Sequence, residues 1–583
     1  MTDVAPAQGG FPGFGLDAPL DLGILTPAAV AGIAARLRDR TAVAFSDAAA
    51  RTGFCSHPVR LRGSSTTVDA ATGEVLSQFS SDDAPLGVLY RACGNRRESV
   101  CPACSRVYAR DTFEMIRAGL LGGKTVPATV ADNPLVFATL TAPSFGHVHG
   151  TRAKHGRTTR CRPHGTGTCP HGNARGCHAQ HSDTDPAVGS PLCEACYDWH
   201  SAVVWQWHAP ELWRRFTIAL RRQVAEALGV RESTLRTVAS VQFAKVAEYQ
   251  VRGLVHFHAL IRLDGPDGPG SPAPVDGSTL AHAARAAARA VAVTAPPVDG
   301  ADVPRVLRFG TQLDVRCVRT GVPENDDGSD DLRPEQVAGY LAKYSTKGTG
   351  TDLASPRPHH QRMVRTCRWL AERARTACRG LAGPDPEDDE GCVCGQCADS
   401  PYRLLAKWAH MLGFRGHFSS KSRRYSIPLG RLRRARVRFQ RLKADAERDG
   451  TPMDVADLET RLLAEDDETT LVVGSWTYEG SGWTNPGDKA LADAAAARAR
   501  EYAQWKAHTT ASVRNGSREA AHDDEHHHEH PDDGQAERQA AAHDARGAGR
   551  VPRREPALRV RVVQPRRRPQ GRAGRGAAQV PAD

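Results

Sequence analysis

The sequence reads as an α+β protein built on an antiparallel sheet. Two β-rich runs, 237–249 and 254–263, are joined by a connection of hairpin length, Gln250 to Gly253, with glycine at its end. A stretch rich in Trp, Leu, Ala and Arg, 201–229, has the spacing of one long helix. Further strands and helices alternate irregularly around these two features, unlike the regular alternation of a parallel α/β sheet.

The elements follow in chain order. Residues 1–129 form an N-terminal region with a cysteine knuckle. LVFATLT, Leu135 to Thr141, is apolar, β-branched and bounded by Pro134 and Pro143, as a buried strand is. A Cys/His-rich insertion, 151–200, leads into the long helix and the hairpin. Arg305 to Arg319 is the next strand, followed by an acidic loop and a helix from Pro334 to Lys347 with proline in its first turn. These pieces make one unit over 130–350. A basic region, 351–486, carries a Cys-rich insertion at 378–397 and the last strand, Leu471 to Tyr478. From 487 to 583 Ala, Arg, Glu and His dominate, HDDEHHHEH is of low complexity, and the Arg/Pro/Gly end is expected to be disordered.

Composition bounds the function. A chain of 583 residues supports several units with a sizeable core. Hydrophobic residues are 40% and mean hydropathy is -0.46, and no apolar run approaches the ~18 residues of a membrane span. The first residues lack the basic and apolar regions of a secretion signal, so a cytoplasmic protein is expected. In a reducing compartment the fifteen cysteines point to metal ligation rather than disulfides. Net charge is +11, but it is localised: Arg415 to Lys443 holds eleven cations and no acid, and the last stretch, 551–583, holds nine Arg against Glu555 and Asp583. Such patches favour a nucleic-acid partner over a membrane or a small-molecule substrate.

His256 and His258, one residue apart in a strand, project from one sheet face, while Val255, Phe257 and Ala259 face the other. Glu248 lies across the hairpin, where its carboxylate completes a mixed nitrogen and oxygen set suited to Mg²⁺ or Mn²⁺. On the helix YLAKYSTK, Tyr340 and Tyr344 share a face, with Lys343 and Lys347 repeating the same spacing beside them. Near cations and a metal, a phenol can be drawn toward phenolate and attack phosphorus.

Phe137, Thr139, Leu140 and Thr141, then His256-Phe257-His258, then YxxKYxxK from Tyr340, together resemble the ordered three-motif series of HUH endonucleases of the rolling-circle replication class. The segments ACGNRRESVCPACSRVY (92–108), CPHG (169–172) and WAHMLGFRGHFSSKSRRYS (408–426) are similar to RepSA-type initiators of actinobacterial plasmids and integrative elements. The resemblance spans about 50–485. It implies an HUH nickase domain whose central antiparallel sheet is flanked by helices. It also implies metal ligation by Glu248, His256 and His258, and attack by Tyr340 to give a 5′-phosphotyrosine and a 3′-OH primer for host polymerase beside a host helicase. Lys343 or Lys347 would contact phosphate or phenolate. Gln336 stands where some relatives carry Glu, which favours Tyr344 as a second nucleophile, with Glu335 as the alternative. A two-Tyr HUH transposase and a non-enzymatic zinc-finger DNA-binding regulator are the competing readings.

Three clusters have zinc-ligand character. Cys93, Cys101 and Cys104 contain one CxxC and need a fourth ligand, Cys55 or His57. Cys161, His164, Cys169, His171, Cys177, His178, His181, Cys193 and Cys196 offer ligands for one or two structural ions. Cys378, Cys392, Cys394 and Cys397 form a third set. For DNA, the cations Lys421, Arg423, Arg424, Arg431, Arg433 and Arg434 are expected to contact origin phosphates, with His417, Phe418 and Tyr425 interleaved for base stacking.

Overall fold

The computed structural model describes residues 20–505 except 152, 155–156, 162–163, 183, 319–333, 347–356, 380–399, 456, 465–469 and 503. These belong to one unit, Met1–His508; a second, Thr509–Asp583, lies outside the described residues, and with it the Arg-rich end.

The chain begins with helices α1 (Pro27–Arg38) and α2 (Ala42–Arg51) and strands β1 (Val59–Asp69), β2 (Val75–Ser80) and β3 (Leu89–Arg91). Helix α3 (Pro102–Leu121) and strand β4 (Leu135–Leu140) follow. Two small hairpins come next, β5 (Ala153–Lys154) with β6 (Arg157–Thr158) and β7 (His164–Thr168) with β8 (Ala174–Gly176). Then come α4 (Trp199–Ala227), β9 (Ser240–Tyr249), β10 (Val255–Asp264), α5 (Gly277–Ala290), β11 (Val293–Ala295), β12 (Arg305–Leu307) and β13 (Leu313–Cys317). The last elements are α6 (Pro334–Ser345), α7 (Pro358–Arg379), β14 (Ser419–Lys421), α8 (Leu429–Asp449), α9 (Leu458–Leu463) and β15 (Thr470–Ser481).

The central sheet has the order β13-β4-β10-β9-β14, with every pair antiparallel. Alternation along β10 sends Val255, Phe257, Ala259 and Ile261 into a core shared with α4, α5 and α7. On that side α4 inserts Trp205, Trp207, Leu212, Phe216 and Leu220, its start capped by Asp198 accepting from the Ser201 N–H. The opposite face, with Leu135, Ala244, Val246 and Leu260, packs against α3 and α6. The fold is therefore α+β, an antiparallel sheet between two helical layers. Gly253 closes the β9–β10 hairpin at φ +86°, where a Cβ would meet the Met363 sulfur at 2.8 Å.

Three features depart from the sequence reading. The strand expected over Arg305–Arg319 is two strands. At Gly310, packed on the Ala142 carbonyl, the chain leaves the β11–β12 pair and joins the edge of the central sheet as β13. The last strand, β15, pairs along its length with β1, from Val59↔Ser481 to Asp69↔Thr470, joining the two ends of the described chain. Finally, where the sequence signal thins, residues 486–502 are helical. Asp488 there is fully buried on Arg36 (2.7 Å), and Leu491 and Ala492 pack with Phe45, Tyr90 and Trp483. No described helix is long and apolar enough to cross a membrane.

Candidate active site

Because His256 lies directly opposite Glu248 in the hairpin register, both side chains emerge on the face toward α6. His258 follows two residues on. Glu248 Oε2 lies 3.1 Å from His256 Nε2 and 3.3 Å from His258 Nε2, so three donors from two strands meet at one point. Glu248 is 9% exposed and His258 3%, while His256 is half-buried at the rim. A carboxylate and two imidazoles already within reach of one another fit a single divalent cation with positions left over for oxygen ligands.

The surroundings fix the rings. Thr139 Oγ1 lies 3.1 Å from His258 Nδ1, which leaves Nε2 for the centre of the cluster. Phe137 stacks on the His258 imidazole at 5.6 Å with an interplanar angle of 7° and meets Tyr340 edge-on at 6.1 Å. These two residues of the LVFATLT strand thus shape the site; their type alone did not show how.

Helix α6 lies over the cluster because Val337, Ala338 and Leu341 pack into the sheet face. Its i, i+4 spacing sets Tyr340 and Tyr344 side by side, ring centroids 4.3 Å apart. The Tyr340 hydroxyl is 3.3 Å from His258 Nε2. Burial, then the Tyr344 phenol and the Glu248 carboxylate, push the Tyr340 phenol above its usual range, opposite in direction to the phenolate that neighbouring cations would favour. Lys343 is exposed on the same helix; Lys347 lies outside the described residues.

Three further clusters have four donors each. Cys55, Cys93, Cys101 and Cys104 come together with Sγ···Sγ distances of 3.7 Å for both Cys93–Cys104 and Cys55–Cys101, near the ~3.8 Å edge of a tetrahedron with Zn–S of about 2.3 Å. Cys55 closes this set, and His57 is exposed. Seven of the insertion's nine candidates divide between two sites. Cys169, His171, Cys193 and Cys196 form one, and Cys161, Cys177 and His181 form the other with His149. Sequence reasoning missed His149, which stands twelve residues before its nearest cysteine partner, although it forms a His-x-His pair with His147 that could have flagged it. His178 belongs to neither set, and the His164 side chain is outside the described residues. His181 Nδ1 donates to Asp185 at 2.7 Å, an arrangement that orients a metal-binding imidazole. Cys378 falls in α7, but its side chain, like Cys392, Cys394 and Cys397, lies outside the described residues.

A family model described as "Replication initiator protein, pSAM2" matches residues 41–497. The chain belongs to the RepSA family of replication initiators. A replication initiator protein of Streptomyces ambofaciens is 41% identical over 471 residues, covering 77% of this chain and 88% of that relative. No solved structure matches.

The basic segment of this RepSA protein is only partly presented to solvent. Arg423, Arg424, Arg433 and Arg434 are exposed. Lys421 instead donates to the carbonyls of Ser422, Arg423 and Ser426, the last at 2.6 Å, and burial pushes its ammonium down to about 8. Arg431 donates to the Leu463 carbonyl, pinning α9 to α8. Both cations are thus held on backbone carbonyls and are only partly exposed. Phe418 and Tyr425 are buried at 8% and 0% exposure, which removes them as stacking platforms. Arg96, unremarked in the sequence, donates to the Ser345 carbonyl at the end of α6 (3.0 Å) while lying 3.7 Å over the Phe418 ring.

Proposed function

We propose that this initiator opens replication by nicking one DNA strand at an origin through an HUH-type site, and later religates it. The observation that carries the reading is the convergence of Glu248, His256 and His258 with the Tyr340 hydroxyl 3.3 Å from His258, in a chain of this family. A divalent cation, Mg²⁺ or Mn²⁺, held by those three residues would polarise the scissile phosphate and offset the Glu248 charge. Tyr340 attacks phosphorus: the phenol loses its proton, an O–P bond forms, the P–O3′ bond breaks and the departing 3′ oxygen gains a proton. The resulting 3′-OH serves host polymerase behind a host helicase, and the 5′-phosphotyrosine conserves the energy of the broken bond. Tyr344, one helical turn away, accepts the strand in the second round and permits release of a closed circle. Thr139 and Phe137 hold His258 for this step, and Lys343 or Lys347 would contact phosphate or stabilise the phenolate. The three four-donor clusters hold Zn²⁺ as structural braces, and exposed Arg423, Arg424, Arg433 and Arg434 bind origin phosphates.

The test uses supercoiled plasmid carrying the DNA that flanks the protein's own gene, with Mn²⁺. Wild-type protein should convert it to the nicked form. The His256→Ala/His258→Ala variant should not, while keeping its zinc and its duplex binding. Nicking by that variant at the wild-type rate would refute the assignment.

A further inference from the structure

The insertion between β4 and α4 has a topology and a charge that structural bracing does not use. Its ligands fall in four pairs along the chain: His149 and Cys161, Cys169 and His171, Cys177 and His181, Cys193 and Cys196. The first and third pairs form one cluster and the second and fourth the other, so the two sites are interleaved. Donor distances of 3.2 Å for His149 Nδ1–His181 Nε2 and 3.2 Å for His171 Nδ1–Cys196 Sγ are those of closed tetrahedral sets. The Gly150 N–H and the Asn173 side-chain amide donate to Cys161 and Cys193, satisfying thiolate character. Such bracing gives a short, core-poor segment a fixed shape.

That segment is anchored at the active-site end of the central sheet. Strand β4 leaves the sheet at Leu140, opposite Phe257 and next to His256. Gly189 lies against the Val251 carbonyl in the β9–β10 turn, closely enough that a Cβ would clash at 2.6 Å. Arg357, before α7, donates to the carbonyls of Asp185, Pro186 and Val188. Arg252 of the turn donates to Ala142 and Pro143 at the segment's root, at 2.7 and 2.8 Å.

From His147 to Ser182 the segment carries Arg152, Lys154, Arg157, Arg160, Arg162 and Arg175 and not one acid. Lys154 and Arg157 lie in β5–β6 and Arg175 in β7–β8, and Arg160 and Arg175 are exposed. The same stretch contains no Phe, Trp or Tyr, so it lacks the rings on which unpaired bases stack. Cations without aromatics, on a rigid support, match the phosphates of a double helix.

We propose that this metal-braced segment is a duplex-contact surface that grips phosphates of the double-stranded DNA flanking the scissile position. The proposal rests on the nickase reading for where that DNA lies. It is tested by anisotropy titration of the full-length Tyr340→Phe protein, so that binding is read without cleavage, while nicking by wild-type protein is scored separately. The probes are a random-sequence duplex of about 30 base pairs and a single strand of equal length. Replacing Lys154, Arg157, Arg160 and Arg175 by Gln should weaken duplex binding ~10-fold or more at physiological salt and lower the slope of log K against log salt by ~3 to 4. Single-strand binding should change far less. The exposed pair alone, Arg160→Gln/Arg175→Gln, should lower the slope by ~2 with zinc content unchanged, and it decides the matter if the fourfold variant loses metal. Unchanged duplex affinity and slope in the zinc-replete pair, or equal losses on both probes, would overturn the proposal. Failure of wild-type nicking with a duplex effect present would refute the nickase reading alone.

Discussion

Thr139 occupies a β-strand position at which a hydroxyl is exchangeable for a methyl, except that its Oγ1 sits 3.1 Å from His258 Nδ1. Thr139→Val should therefore keep the fold and weaken Mn²⁺ binding ~10- to 100-fold by calorimetric titration, the usual cost of losing such a partner. Unchanged affinity would mean that His258 does not ligate. On the other face of the same hairpin, Lys245 is buried among Trp213 and Phe257 and donates to the His417 carbonyl at 2.7 Å. Desolvation pushes its ammonium down to about 7 from 10.5. The unfolded chain thus binds the extra proton between those values, and stability should rise with pH across that window by up to ~1.4 kcal/mol per pH unit. Lys245→Met should flatten that rise in denaturant titrations at successive pH values; an unaltered slope would show that Lys245 stays charged in the folded protein.

At the scale of elements, α6 is held from two directions, by the sheet beneath it and by Arg96 at its last carbonyls. Arg96 projects from the loop between Cys93 and Cys101, so the Cys55/Cys93/Cys101/Cys104 knuckle is tied to the helix that carries both tyrosines. Arg96→Ala should cost roughly 1.5 to 3 kcal/mol of a charge-assisted bond and slow nicking without changing Mn²⁺ affinity. Loss of Mn²⁺ affinity in parallel would place Arg96 in the metal site instead. What the sequence made legible here follows from periodicity. A His-x-His pair in a strand must share a face because of the pleat, whereas Glu248 falls opposite His256 only because the observed register pairs Tyr249 with Val255; the connection read as Gln250 to Gly253 would have turned Glu248 to the other face. The tyrosine spacing works the same way on a helix. By contrast, Lys421, Arg431, Phe418 and Tyr425 look in sequence like their exposed neighbours. Only packing separates them, against carbonyls for the two cations, against Tyr249 and Phe414 for Phe418 and against α3 for Tyr425, and no local pattern encodes that. His149 escaped for the related reason that its partners are distant in the chain.

Across the whole molecule, the β1–β15 pairing and the buried Arg36–Asp488 pair tie the ends of the described chain together, a long-range closure that linear reading divided among separate regions. The exposed arginines of α8 sit on one helix, whereas the nine Arg of 551–583 are scattered among Pro, Gly and Val in the sequence. Deleting 551–583 should therefore weaken binding to all DNA sequences alike and flatten its salt dependence, leaving preference for origin DNA intact. A deletion that abolished that preference while sparing general affinity would contradict this division. The central claim, that Tyr340 is the initiating nucleophile of a site built from Glu248, His256 and His258, is tested most directly by mass spectrometry. The adduct trapped in a single turnover on a nick-site oligonucleotide should carry its 5′-phosphate on Tyr340, should vanish in Tyr340→Phe and should persist in Tyr344→Phe. A first-turnover phosphate on Tyr344, or an adduct that survives Tyr340→Phe, would contradict it.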